Sequence, residues 1–261
     1  MTEKIGENSE LLIIDLKTPE KRYIVPVNRG AFFTKRGEID LKSLIGKSFG
    51  REVKSHLGAK FAILKPTFYD RIMKGIKRQT QIVYPKDAGY IALLMGLTNG
   101  QRVFECGAGS GAMTSVIANA VAPDGLVVSF ERDERFLQLA RENIETLGFS
   151  ENIELHLHDL ADGIENGPFD AAFIDIREPW LHTQTIWNAV IGGAPMVFIL
   201  PTTNQICELL GVLENHGGFI DTQVMETMLR FYKPVSQRLR PADRMVAHTT
   251  YVVFARKLTV E

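Results

Sequence analysis

The chain has 261 residues, 45% hydrophobic and 23% charged, with a formal net charge of −1. That length supports one large α/β domain with a small appendage, and the composition excludes wholesale disorder. Its apolar runs break at charge, Gly or Pro before they reach membrane-spanning length, so no membrane role is expected and the expected location is the cytoplasm. Cys106 and Cys207 make no disulfide framework and are expected to be reduced, buried thiols; no metal site is expected either. A net charge near zero argues against a generally basic nucleic-acid binder, but the charge is unevenly distributed. Arg51 to Lys86 holds nine basic residues against two acidic ones, and Met228 to Ala247 holds five against one.

In chain order, the short apolar runs LLIID, RYIVPV, FFTKRG and FAILKP are separated by turn residues at Asn28-Arg29-Gly30, Arg36-Gly37 and Gly58. This pattern predicts a small β-rich domain over residues 1–65. Residues 66–100 read as a helical connector that opens with a short helix from Pro66 to Arg78. From 101 to 261 strands and helices alternate. RVFEC precedes a helix from Gly111 to about Val121, and LVVSFE precedes a helix from Asp133 to Leu147. In that second helix Asp133 suits the N-cap, Leu137, Ala140, Ile144 and Leu147 share one face, and Gly148 is the stop. NIELHL and AAFID follow, then a helix near Trp180–Val190, the strand PMVFIL, and a helix near Asn204–His216. Two strands around FIDTQVMETML and TTYVVFARKL have no helix between them. The expected fold is α/β, a Rossmann-like sheet with a terminal antiparallel strand pair plus a small N-terminal β domain.

The strongest local signal is Val103-Phe-Glu-Cys-Gly-Ala-Gly-Ser-Gly-Ala-Met-Thr114, a strand entering a glycine turn that opens a helix. Gly107, Gly109 and Gly111 are expected to let the backbone approach a ligand, with free N–H groups at the helix start. Gly107, Gly109 and Ala112 also satisfy the dinucleotide pattern G-x-G-x-x-A, which keeps a nicotinamide-dependent oxidoreductase in view. Glu105 tilts the choice. An acid immediately before the loop repels a pyrophosphate but suits the ammonium of a methionine moiety, as in S-adenosylmethionine. Glu131, at the end of the next strand, can accept hydrogen bonds from both ribose hydroxyls of either cofactor. Asp159 and Asp175 end the third and fourth strands, where open α/β sheets bind their ligands.

Three segments carry a family resemblance that runs nearly the full length: Thr80-Gln-Ile-Val-Tyr-Pro-Lys-Asp87, the glycine loop, and Arg240-Pro-Ala-Asp-Arg-Met-Val-Ala-His-Thr-Thr-Tyr251. The chain resembles the tRNA (adenine-N1) methyltransferases that modify adenosine-58 in the T-loop. The resemblance implies a methyltransferase domain behind a small β domain, a homotetramer, tRNA bound across subunits, and the two basic stretches facing it. It implies that Gly107, Gly109, Ser110, Gly111, Ala112 and Met113 hold the methionine portion, Glu131 the ribose, and Asp159 the adenine amino group. Asp175 matches the family's catalytic carboxylate, next to the cofactor. Gln81 and Tyr84 match positions near the target base. The local pattern D-I-R-E-P-W departs from the D-x-P-x-P form of some members and gives Arg177 and Glu178 no role. N1 of neutral adenine has a free lone pair, so the expected task of Asp175 is to orient the base and stabilise developing positive charge. A methyltransferase of the same fold acting on another substrate, and a catalytically silent tRNA-binding subunit, are the other readings.

Overall fold

The computed structural model describes residues 3–79 and 81–259. The chain divides into two compact units, Met1–Ile76 and Lys77–Glu261. Residues 66–76 of the expected connector therefore fall in the first unit and residues 77–100 in the second. Thr80, which opens the TQIVYPKD segment, lies outside the described residues.

The first unit contains β1 (Glu10–Asp15), β2 (Arg22–Pro26), β3 (Ala31–Thr34), β4 (Gly37–Asp40), β5 (Arg51–Lys54) and β6 (Lys60–Leu64). Four strands form an antiparallel sheet in the order β2-β1-β6-β5, and β3-β4 is a separate hairpin. Leu11 and Ile13 point to one face of β1, and Phe61 and Ile63 to the same core from β6. This period-2 placement is what selects strand over helix for these runs. The helix expected from Pro66 to Arg78 is shorter. Thr67 and Asp70 make a reciprocal capping box, α1 covers Phe68–Asp70, and the chain leaves it through a π-helical turn, Arg71–Gly75.

The second unit begins with α2 (Pro85–Leu94) and continues through β7 (Arg102–Cys106), α3 (Ala112–Val121), β8 (Leu126–Glu131), α4 (Glu134–Leu147) and β9 (Ile153–Leu157). It goes on with β10 (Ala171–Ile174), α5 (Thr183–Ala189), β11 (Pro195–Leu200), α6 (Thr203–His216), β12 (Phe219–Met225), the short pair β13 (Tyr232–Lys233) and β14 (Arg240–Pro241), and β15 (Tyr251–Lys257). The main sheet has the order β12-β15-β11-β10-β7-β8-β9. All neighbours are parallel except β15, which is antiparallel to both β11 and β12. The last strand is thus inserted between its predecessors and not appended at the edge. Along each central strand, alternate residues feed opposite cores: Val103, Val127 and Val197 pack on one side, Phe104, Val128 and Phe198 on the other. A strand buried on both faces reads as a continuous apolar run, as these do.

Helix α4 forms as its sequence predicts. Asp133 Oδ1 accepts the Arg135 N–H at 2.9 Å, Leu137, Ala140, Ile144 and Leu147 are buried, and Gly148 closes the helix at φ +82°. One expectation fails at the thiols: Cys106 is buried, but Cys207 is exposed because it falls on the solvent side of α6. Among the described residues no helix is long and apolar enough to cross a membrane, and no group of His, Cys, Asp or Glu is arranged to hold a metal ion.

Candidate active site

Strand β7 pairs with β8 on one side and β10 on the other, so the connections run outward in opposite directions from it. The crevice beyond the carboxyl ends of β7 and β10 is the topological switch point, where open α/β sheets take their ligands. Two backbone bonds extend the ladder into this crevice: Gly107 N–H donates to Phe130 O and Asp175 N–H to Cys106 O, both at 2.8 Å. Gly107 and Asp175 are packed so closely that a Cβ on Gly107 would lie 2.0 Å from the Asp175 carbonyl oxygen. At Gly111, which starts α3 in the left-handed region, a Cβ would press on Ala140 O at 3.1 Å. Packing of the loop on its own protein, rather than on a ligand, therefore requires glycine at these two positions.

Four acids gather at the strand ends. Glu105 is fully buried; Ser129 Oγ donates to its Oε2 at 2.6 Å, while its Oε1 has no hydrogen-bond partner among the described residues. Burial pushes the Glu105 carboxyl up to about 7, opposed by Ser129 and Thr114 and reinforced by the charges of Asp175 and Glu131. Thr114 draws the value down from nearby, although its own buried Oγ1 makes no hydrogen bond among the described residues. Glu131, nearly buried, accepts the Gly109 N–H on Oε2 and the Asp133 N–H on Oε1, each at 3.0 Å. A carboxylate has about four lone-pair sites, so each oxygen of Glu131 can take another donor. Asp159 Oδ1 accepts the Ala161 N–H at 3.0 Å and starts a single 3₁₀ turn. At Asp175 the surrounding protein, and after it the Glu131 charge, raise the carboxyl to about 7. The residue keeps an exposed surface in the crevice, and water there screens part of that rise, so only its direction bears on the chemistry.

Three cavities meet along this edge. One of about 450 Å³ is lined by Cys106, Gly107, Glu131, Asp159 and Asp175, with Arg177 and Glu178 at its mouth. A second, about 300 Å³, runs along Gly109, Ser110, Ala112 and Met113 and reaches Gln81. A third, about 490 Å³, lies between the segment Gln81–Tyr84 and the segment Val246–Thr250. Asp175 lines all three. Gln81 and Tyr84 thus share the third cavity with Asp175, and Gln81 also lines the second, together with Glu131. Their own contact is weak, with Tyr84 Oη 3.5 Å from Gln81 Oε1.

Sequence reasoning missed the residues that hold these walls. Buried Asn143 on α4 accepts the Lys77 N–H and donates to Lys77 O and to Ser110 O, at 2.8, 2.9 and 2.8 Å. It fixes the glycine loop to the chain that leads towards Gln81, a role that no local pattern announces. Asp87 is fully buried and accepts hydrogen bonds from Lys86 Nζ, Thr227 Oγ1 and Thr249 Oγ1. This clip joins the first and last of the segments that resemble the family. It also corrects the reading of the basic stretch: Lys86 is enclosed at 9% side-chain exposure and cannot face a phosphate. Lys60, Lys65, Arg71 and Lys77 of the same stretch are ion-paired with acids too.

The fold and site define a class. The sheet order, with its inserted antiparallel last strand, and the acid-flanked glycine loop at the switch point are those of S-adenosylmethionine-dependent methyltransferases, which sets the nicotinamide reading aside. The site suits that cofactor on two structural grounds: an orphaned carboxylate oxygen of Glu105 behind the loop, and unused acceptor sites on Glu131. Residues 63–250 match the family described as tRNA methyltransferase complex GCD14 subunit. The tRNA (adenine(58)-N(1))-methyltransferase TrmI of Thermus thermophilus is 30% identical, over 95% of this chain and 96% of its own length. A crystal structure of tRNA (m1A58) methyltransferase TrmI from Aquifex aeolicus is 35% identical with a TM-score of 0.87, covering 99% of this chain and 100% of that one. Another, named as an S-adenosylmethionine-dependent O-methyltransferase from Thermotoga maritima, is 37% identical with a TM-score of 0.92, covering 99% and 96%. The chain belongs to the GCD14 family of tRNA methyltransferases.

Proposed function

We propose that the enzyme transfers a methyl group from S-adenosylmethionine to N1 of adenosine-58 in the T-loop of tRNA. The observation that carries this reading is the position of Asp175, in the wall shared by the cavities beside the glycine loop and the cavity beside Tyr84. When bound, S-adenosylmethionine supplies an electrophilic sulfonium methyl. The loop from Gly107 to Met113, with Glu105 behind it, holds the methionine end. Glu131 accepts the ribose hydroxyls on its unused lone pairs, and Asp159 accepts the amino group of the cofactor's adenine. On the other side, Asp175 accepts a hydrogen bond from the exocyclic amine of the target base and so aims N1 at the methyl group. As N1 alkylates the ring becomes cationic, and the carboxylate stabilises that charge. No proton has to leave N1. A T-loop adenine must be extruded to reach the cavity, where Tyr84 packs against the ring and Gln81 bonds its edge.

The assembly is read as a homotetramer that binds tRNA across subunits. Supporting it, Met228, Phe231 and Leu239 present 66, 61 and 68% of their surfaces to solvent on one segment. Such a patch suits burial against a second copy. Light scattering of the purified protein tests that assembly.

The raised carboxyl of Asp175 favours one competing reading, a general base that takes a proton from a hydroxyl, as oxygen methylation requires. The deciding experiment is transfer of labelled methyl to unmodified tRNA transcripts, with the product nucleoside identified and adenosine-58 substituted as control. We expect 1-methyladenosine that disappears with the substitution. Label that survives it would point to adenosine-57, and a 2′-O-methyl or other product would overturn the reading.

A further inference from the structure

His248 lines the cavity beside Tyr84, on the segment leading into β15, and the mechanism above leaves it without a task. Its Nδ1 lies 2.7 Å from Glu226 Oε1, and its Nε2 lies 3.0 Å from the carbonyl oxygen of Pro201. A carbonyl only accepts, and so does a carboxylate. Each ring nitrogen must therefore present an N–H, and a neutral imidazole has just one. The arrangement is satisfied by the imidazolium. Its ring leans on Tyr251 with centroids 4.5 Å apart, and its side chain stays 40% exposed.

The residues joined in this way come from separate parts of the fold: Pro201 and His248 line the cavity, and Glu226 backs His248 from outside the lining. Pro201 follows β11, Glu226 follows β12 and His248 precedes β15. The backbone ladder between β12 and β15 ends at the pair Met225 and Val252. Beyond it, side chains hold the two strands: His248 to Glu226, and next to them Thr249 and Thr227, both on Asp87. The charged groups facing the ring are Glu226, which favours the imidazolium, and Lys86, which opposes it and is itself paired with Asp87.

We propose that His248 is a positioning residue for methyl transfer: held as an imidazolium, it pins Pro201 and Glu226 and so sets the shape of the cavity that receives the target base. The inference rests on the function proposed above, because that reading puts the base in this cavity. The hydrogen bond to Glu226, and then the Pro201 carbonyl, raise the histidine above its ordinary value. A raised value means the pinned wall is present at lower pH and is lost as the pH climbs through the folded value. The effect is opposite in sign to ionisation of Asp175, which improves the site as pH rises.

The test measures KM for tRNA, kcat and cofactor affinity from pH 6 to 9 for the wild type, Glu226→Gln and His248→Gln. Ring titration of His248 is followed by NMR in the same full-length proteins. In the wild type, KM for tRNA should rise on the order of tenfold on the alkaline side, the scale of one lost hydrogen bond to a charged group, while cofactor affinity stays level. Glu226→Gln should move that inflection to lower pH, together with the NMR titration. His248→Gln should abolish it, with a high KM throughout. A merely structural role would not shift an inflection with Glu226. An unmoved inflection in Glu226→Gln, or one that survives in His248→Gln, overturns the proposal. A histidine titrating at about 6.5, the ordinary value, overturns the pinned imidazolium whatever the substrate is. Failure of the wild type to methylate any tRNA would instead strike the function reading, and the NMR titration would still decide the state of the ring.

Discussion

Glu105→Gln should make the cofactor-free protein more stable at pH 8 while weakening cofactor binding. The buried carboxyl is raised from 4.5 to about 7, with burial as the first cause. Its charged form is therefore disfavoured by about 3 kcal/mol relative to the unfolded chain. Because the folded value lies above the unfolded one, this destabilisation is absent below about pH 4, grows as the pH rises, and is complete above about pH 7. Glutamine keeps the acceptor for Ser129 Oγ and puts a neutral amide, on the side chain that Thr114 influences, in place of the buried carboxylate. The replacement removes a buried charge. For a unit of this size the gain corresponds to roughly 6–12 °C in melting temperature at pH 8 and little at pH 4. Urea melts of both proteins at the two pH values measure it, and calorimetric titration with S-adenosylmethionine follows the accompanying loss of affinity, about tenfold or more. The reasoning is refuted if the variant gains no stability at pH 8 relative to pH 4.

The remaining predictions concern the neighbouring acids. Asp175→Asn should lower kcat by about 10²–10³-fold, the scale of losing one preorganised electrostatic group, while cofactor affinity changes less than about threefold; equal losses in single-turnover and binding experiments would remove its catalytic assignment. Since its carboxyl is raised, wild-type kcat should fall on the acid side at a higher pH than an ordinary aspartate would give, and the variant's pH profile should lose that limb. Glu131→Gln should weaken cofactor binding by about 10–100-fold, through lost charge-assisted bonds, with kcat at saturating cofactor nearly retained; fluorescence titration checks this. Asp87→Ala leaves Lys86 enclosed without its counter-ion and should cost about 3–5 kcal/mol in urea unfolding. Lys86→Met combined with Asp87→Leu should recover much of that loss, and failure to recover any would show that the hydrogen bonds from Thr227 and Thr249, not the unpaired charge of Lys86, set the cost.

Much of the architecture was legible because its signals are local. The cap at Asp133, the one-sided apolar stripe of α4 and the stop at Gly148 lie within one stretch of chain, as do the apolar runs that become β7, β8 and β11. The acids at positions 105, 131, 159 and 175 could be assigned to strand ends for the same reason. Less local was the inserted β15: two helix-free strands predict an antiparallel pair, but only competition for partners in the sheet decides which is the edge strand. Cys207 shows the same limit on a smaller scale, since the helical face that a thiol occupies depends on how α6 seats on the sheet.

By itself, the sequence determined which residues carry chemistry and in what order they arrive at the strand ends, because strand–loop–helix grammar is written in neighbouring residues. The tertiary structure alone decided how those residues are held. Asn143 reaches back 33 residues to the glycine loop. Asp87 draws in Thr227 and Thr249 from across the sheet, and His248 finds Glu226 and Pro201. Each is a polar side chain whose burial or charge must be satisfied by partners distant in the chain, and such partners leave no periodic trace in a sequence.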